Sequence, residues 1–125
     1  MKLGKPNNFN TNDKIKHCID MYIKKELNYW LSRYRENLDK KLYKKSLKYL
    51  EKIILANINN DNIYNDMSNC YTNLNMYDKA YECLRKSLKF NKNSKIYNNL
   101  YLISNKLNKI NESKIYKNLY DIEKE

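Results

Sequence analysis

Glycine and proline each occur once, as Gly4 and Pro6, so the chain beyond its first six residues holds no backbone breaker of either kind. A sheet protein needs tight turns at short intervals and draws on those residues to make them. Long helices joined by asparagine-rich connections suit this chain better. Valine and glutamine are absent, and alanine stands only at Ala56 and Ala80. No apolar run approaches the ~20 residues of a membrane-spanning helix. The opening MKLGKPNNFNTND lacks both the apolar stretch of a secretory signal and the Arg-rich character of a mitochondrial presequence. The three cysteines, Cys18, Cys70 and Cys83, are odd in number and widely spaced. That is no disulfide framework and fits a reducing compartment. The expected location is the cytoplasm, with the nucleus as the alternative.

Asparagine, lysine, isoleucine and tyrosine are abundant, and all have A- and T-rich codons. Arginine stands only at Arg33, Arg35 and Arg85, so lysine supplies nearly all of the basic charge behind the net +11. Such a charge attracts acidic partners at long range. Where codon composition fills the permissive positions, it supports nucleic acid, an anionic membrane or an acidic protein only weakly.

The 125 residues suit one domain with a modest core. Residues 1–11 read as a flexible tail. Asn12 or Asp13 can cap a helix that opens near Lys14. Ile15, Cys18, Ile19, Tyr22, Ile23 and Leu27 recur at spacings of three and four, the signature of an amphipathic helix. Residues 12–26 are therefore expected to form an N-terminal helix that packs on, or continues into, the remainder of the chain. Further stripes run from Leu42 to Ala56, from Asp61 to Leu74, from Tyr77 to Phe90 and from Ser94 to the C-terminus. Asn57–Asn60, Asn75-Met76 and Asn91–Ser94 break them, and Asp61 and Ser94 are candidate caps.

One segment carries an internal pattern. Over residues 61–94, Tyr64, Met67-Ser68, Tyr71, Ala80, Leu84 and Lys92 stand at the slots of a repeat of about 34 residues that asks for Trp, Leu-Gly, Tyr, Ala, Phe and Pro in that order. Thirty-four residues back, Trp30, Ser46 and Leu50 fall in step. Thirty-three residues on, Tyr97, Leu100 and Ser113 do so. The small residues Ser46, Ala80 and Ser113 allow two helices to approach where bulky side chains would hold them apart. The chain thus resembles the tetratricopeptide repeat (TPR) family over residues 27–125. The match is strong in the middle and loose at both ends, where Arg33-Tyr34, Asn37, Tyr101 and Lys117 depart from the pattern. End repeats of stacked arrays are commonly atypical. The resemblance implies an all-α fold: a right-handed α-solenoid of about three helix-turn-helix units, near residues 27–60, 61–94 and 95–125, with an N-terminal lead helix.

It also implies a concave groove lined by the first helix of each unit. The lining candidates are Asn28, Leu31, Ser32 and Arg35 from the first unit and Asn62, Asn65, Asp66, Asn69 and Asn73 from the second. The third supplies Lys95, Asn98, Asn99, Leu102 and Lys106. A carboxamide both donates and accepts, so an asparagine ladder can pair with a peptide backbone without reading its sequence. Co-chaperones of the family grip the acidic C-terminal tail of heat-shock proteins through a carboxylate clamp. At the aligned positions this chain has Leu31, Arg35, Asp66, Lys95 and Asn99. Only Lys95 matches and Asp66 would repel a carboxylate, so that tail is not the expected partner.

Other chemistry finds little support. His17 is the only histidine and stands beside Cys18 with no further ligand close in sequence, which is not a zinc site. No glycine-rich phosphate loop and no set of nucleophile, base and stabiliser is visible, so neither an enzyme nor a cofactor is expected. Tyr43, Tyr64, Tyr71 and Tyr77 fall at packing positions rather than on a stacking platform for bases. Lys41, Lys45, Lys48 and Lys52 form a basic stripe. The expected function is that of a protein-interaction adaptor that takes a partner peptide or helix in the groove, with acidic partners among the candidates. The alternatives are a docked regulatory or structural subunit of a larger complex, and salt-sensitive nucleic-acid binding through the basic surface.

Overall fold

The computed structural model describes residues 11–124. The expected tail at 1–11 therefore lies outside the described residues, apart from Thr11. Six α-helices succeed one another, and no strand occurs among the described residues: α1 (Thr11–Asp39), α2 (Tyr43–Leu55), α3 (Asp61–Asn73), α4 (Tyr77–Leu88), α5 (Ser94–Lys106) and α6 (Ile110–Glu123). The expected all-α class is what is observed. Each helix packs mainly on the helices before and after it in sequence.

The helices pair through three turns of one geometry. Lys41, Asn75 and Asn108 each take a left-handed backbone, with φ of 60°, 60° and 58°. After each, the next amide reaches back across the whole turn: Leu42 N–H to Asn37 O, Met76 N–H to Tyr71 O and Lys109 N–H to Ser104 O, all at 2.8 Å. The left-handed residue itself bonds three back, to Leu38, Thr72 and Asn105. This double closure satisfies carbonyls that a helix end leaves without partners. Asparagine suits it because its short polar side chain tolerates positive φ better than most. The turns recur after 34 and then 33 residues, counted from Lys41 to Asn75 to Asn108.

The links between pairs also repeat in part. Asn60 and Asn93, both extended, cap α3 and α5 by accepting from Ile63 N–H at 2.9 Å and Ile96 N–H at 3.0 Å. The caps thus stand one residue before the expected Asp61 and Ser94. A capping side chain at either place reads alike in sequence, and only the backbone direction separates them. α1 already contains Asn12 and Asp13, the expected caps, and of the two expected arrangements it takes the continuous one, running past residue 26 without a break. α2 opens at Tyr43, so Lys41 belongs to the turn and not to the helical basic stripe.

The core is the set of faces pressed between these helices. Leu50, Ile53, Cys70, Ala80 and Leu100 have no exposed surface. One cluster joins α1, α2 and α3 and includes Cys83 of α4. Another joins α4 and α5, with Tyr116 of α6 against it, and Tyr71 borders both. A fully buried leucine contributes roughly 2 kcal/mol through the water it sheds. Ser46, Ala80 and Ser113 each occupy the fourth residue of the second helix in a pair, and all are buried. Ser46 Oγ donates to Tyr34 O at 3.0 Å, so its buried hydroxyl is satisfied by the facing helix. Trp30, Tyr43 and Tyr71 are half-buried against the core, and Tyr64, Met67, Ser68, Leu84 and Tyr97 are buried. Lysine ammonium groups sit over several rings: Lys86 lies 5.8 Å from the centre of Tyr64, Lys79 5.8 Å from Tyr71 and Lys106 5.9 Å from Tyr77. The ammonium is drawn to the electron-rich face of the ring, which is how a lysine-rich surface meets a tyrosine-rich interior.

Candidate binding cleft

Between α3 and α5 lies a cleft of about 380 Å³. Six of the groove candidates line it: Asn65, Asp66 and Asn69 from α3, and Lys95, Asn99 and Leu102 from α5. Helical spacing explains the set, because residues three and four apart share a face. Lys106 lines an adjoining cleft of about 460 Å³ together with Leu102, Thr72 and Tyr77. Asn28, Leu31, Arg35, Asn62, Asn73 and Asn98 line neither. Asn73 instead turns back on its own helix, donating to Asn69 Oδ1 at 2.9 Å and Asn69 O at 2.8 Å. Leu31 is half-buried against the hydrophobic core.

Asp66 and Lys95 bring opposite charges to the cleft lining. Asp66 Oδ2 accepts from the Tyr34 hydroxyl at 2.8 Å, a bond that ties α1 to α3 across 32 positions of sequence. Arg35 lies 5.6 Å over the Tyr34 ring. Burial raises the Asp66 carboxyl above its usual range, and the Tyr34 bond, Lys95 and Arg35 pull the other way. Burial also pushes the Tyr34 phenol up to about 12, helped by the bond to Asp66 and its charge. Asp66 is therefore no bare anion: one oxygen is occupied and two cations sit within electrostatic range. This corrects the expectation of simple repulsion at that position.

Sequence reasoning missed Tyr34. It stands at a slot where the repeat pattern wants a small residue, and so counted as a departure. In the fold it is 2% exposed and bridges two helix pairs. No local signal marks this, because the partner is brought up by tertiary packing alone.

Asn65 is the other notable group. Its Oδ1 is buried with no hydrogen-bond partner among the described residues, on the wall of the cleft. Asn99 faces the same space from α5.

His17 and Cys18 are exposed, whereas Cys70 and Cys83 are buried and unpaired. Among the described residues, no group of three or more His, Cys, Asp or Glu side chains is placed to hold a metal ion. Among the same residues, no helix is long and apolar enough to cross a membrane. No protein-family model matches the chain, and no curated protein matches it.

Proposed function

We propose that this chain is a TPR-type interaction module that holds an extended segment of a partner protein between its first helices. The observation that carries the reading is the cleft between α3 and α5, which Asn65, Asn69 and Asn99 line together. Support also comes from three turns of one geometry at offsets of 34 and 33 residues, with a small buried residue after each. In a stack of TPR units the first helices face the concave side, which would put α1, α3 and α5 on the wall that meets the ligand. Carboxamides there bind the main chain of the guest, with Lys95 and Arg35 favouring acidic flanking residues.

The direct test is selection of peptides from a displayed random library on the full chain, followed by titration of the winners. Binding should weaken at least about tenfold in Asn65→Ala, and further in Asn65→Ala/Asn99→Ala. Peptides that bind both variants as tightly as the parent chain would remove the cleft from the interaction. A synthetic Glu-Glu-Val-Asp tail should bind poorly, since of the clamp positions only Lys95 carries the residue type the clamp uses.

A second reading, a subunit docked on a larger assembly, rests on α6. Ile110, Ile115 and Ile122 are exposed on this last helix, at 65%, 56% and 66%. Size-exclusion chromatography of the endogenous protein separates the two: an adaptor elutes partly free, a docked subunit only in the large complex. The basic stripe, now Lys45, Lys48 and Lys52 on α2, is exposed. A gel-shift titration that loses nucleic acid near physiological salt leaves it as charge alone.

A further inference from the structure

α1 is more than twice the length of any other helix, 29 residues against 12 to 14. Its second half packs on the core through Leu27, Trp30, Leu31, Tyr34 and Leu38. Its first half does not: every residue from 11 to 25 is exposed. This overhang extends roughly 22 Å at ~1.5 Å per residue. A free helix of such length is marginal in water, yet this one presents Ile15 and Ile19 at 51% exposure, Tyr22 at 65% and Ile23 at 41%.

These residues are ordered. At about 100° per residue, Cys18, Tyr22, Ile15, Ile19 and Ile23 fall within one arc of roughly 140°, which also takes in Thr11 and Asn12 at its start and Glu26 at its inner end, while exposed Met21 lies outside it. Lys14 and Lys25 border one edge of it and Lys16 the other, while Asp13 and Asp20 stand on the far side. Contiguous exposed apolar surface of this kind is a place to be covered. Charge decides among the covers. A second copy would set Lys14, Lys16 and Lys25 beside their equivalents, in a chain that already carries +11. An anionic bilayer meets the same lysines with opposite charge. It accepts the isoleucines below the headgroups, lets the lysine stems reach up to the phosphates, and leaves the aspartates in water.

We propose that the first half of α1 is an in-plane anchor that lays its Ile15–Ile23 face into the surface of an anionic membrane, holding the helical body above it. It lies on the bilayer and does not span it. The inference stands apart from the cleft and does not depend on what the cleft binds.

The natural cysteines supply the probe. Cys18 is exposed at the edge of the apolar arc, whereas Cys70 and Cys83 are buried, so an environment-sensitive fluorophore can be placed on Cys18 of the folded full chain. We expect a blue shift and co-sedimentation with phosphatidylcholine vesicles containing phosphatidylserine. Neither is expected with phosphatidylcholine alone, and both should fade as salt rises. Ile15→Asp/Ile19→Asp should lower vesicle partition at least about tenfold. Its circular dichroism and melting should match the parent chain, since both side chains point to solvent. Lys45→Glu/Lys48→Glu on α2 should keep vesicle partition within about threefold. Failure to bind anionic vesicles would overturn the proposal, as would equal binding by the Ile15/Ile19 variant, which would leave charge as the sole cause. So would a vesicle-independent dimer that the same variant dissolves, because the cover would then be a second copy.

Discussion

α4 and α6 enter through the same turn and end in different circumstances. Each comes after a left-handed asparagine, each places a small residue at its fourth position, and each is the return arm of a pair. Yet α4 buries Ala80, Tyr81, Cys83, Leu84 and Ser87, whereas α6 buries only Ser113. The difference lies in the neighbours. α4 is pressed between α3 and α5, while α6 makes its main contacts with α5 alone. A helix in a linear stack is stabilised by interfaces on both sides, so the end helix lacks about half of what the middle one gains. The same asymmetry holds at the other end, where the first half of α1 is exposed throughout among the described residues.

Thiol chemistry offers the largest contrast with which to break this picture. Burial pushes the Cys70 and Cys83 thiols up to about 11 each, and both sit in the middle of the stack. Cys18 is expected to react with a disulfide reagent faster than either by on the order of a thousandfold or more, since the buried pair must await opening of the fold. Comparable rates for all three would mean that the centre is no better held than the ends.

Leucine truncation comes next. Leu84 is 1% exposed and Leu119 is half-exposed. Leu84→Ala should cost about 3 kcal/mol in urea unfolding and Leu119→Ala about 1 kcal/mol or less. Equal costs would show that α6 is covered in solution, as the docked-subunit reading requires.

Tyr34 tests the join between the first pair and the second. Tyr34→Phe removes the donor to Asp66 and should cost about 1–2 kcal/mol at neutral pH. The phenol in the folded chain holds its proton to about 12, against an ordinary value of 10. Between those values the unfolded chain gives up this proton first, so stability falls as pH rises through that window. The parent chain should lose about 2 kcal/mol there that the phenylalanine variant does not. A matching alkaline slope in both would remove Tyr34 as its cause.

The turns give the smallest effect. Lys41, at φ of 60°, carries a side chain poorly suited to the left-handed region that Asn75 and Asn108 occupy in the other two turns. Lys41→Gly should stabilise by about 0.5–1 kcal/mol, and Asn75→Gly by less. A loss of stability in Lys41→Gly would mean that the first turn is held by something other than its backbone.

The cleft residues came from the family resemblance, which named the first helix of each unit as the lining, and helical spacing then groups them on one face. Asn65 and Asn69 stand four apart on one helix, and the cleft brings them together with Asp66 and with Asn99 and Leu102 of another. Three positions resisted. Asn73 bonds to its own helix, since a carboxamide exchanges water for a backbone carbonyl four residues back at little cost. Leu31 was claimed by the core. Tyr34 was a mismatch in the pattern until the fold brought Asp66 to its hydroxyl.

The chain alone determined its helices, its breaks and the recurrence of its turns, because periodicity, capping and left-handed asparagines are local properties of the backbone and its nearest side chains. Which faces are covered was decided by tertiary structure. A stripe of isoleucine and tyrosine looks the same whether a neighbour lies against it, as on α3, or not, as on the first half of α1, and burial is a property of pairs of helices rather than of either one.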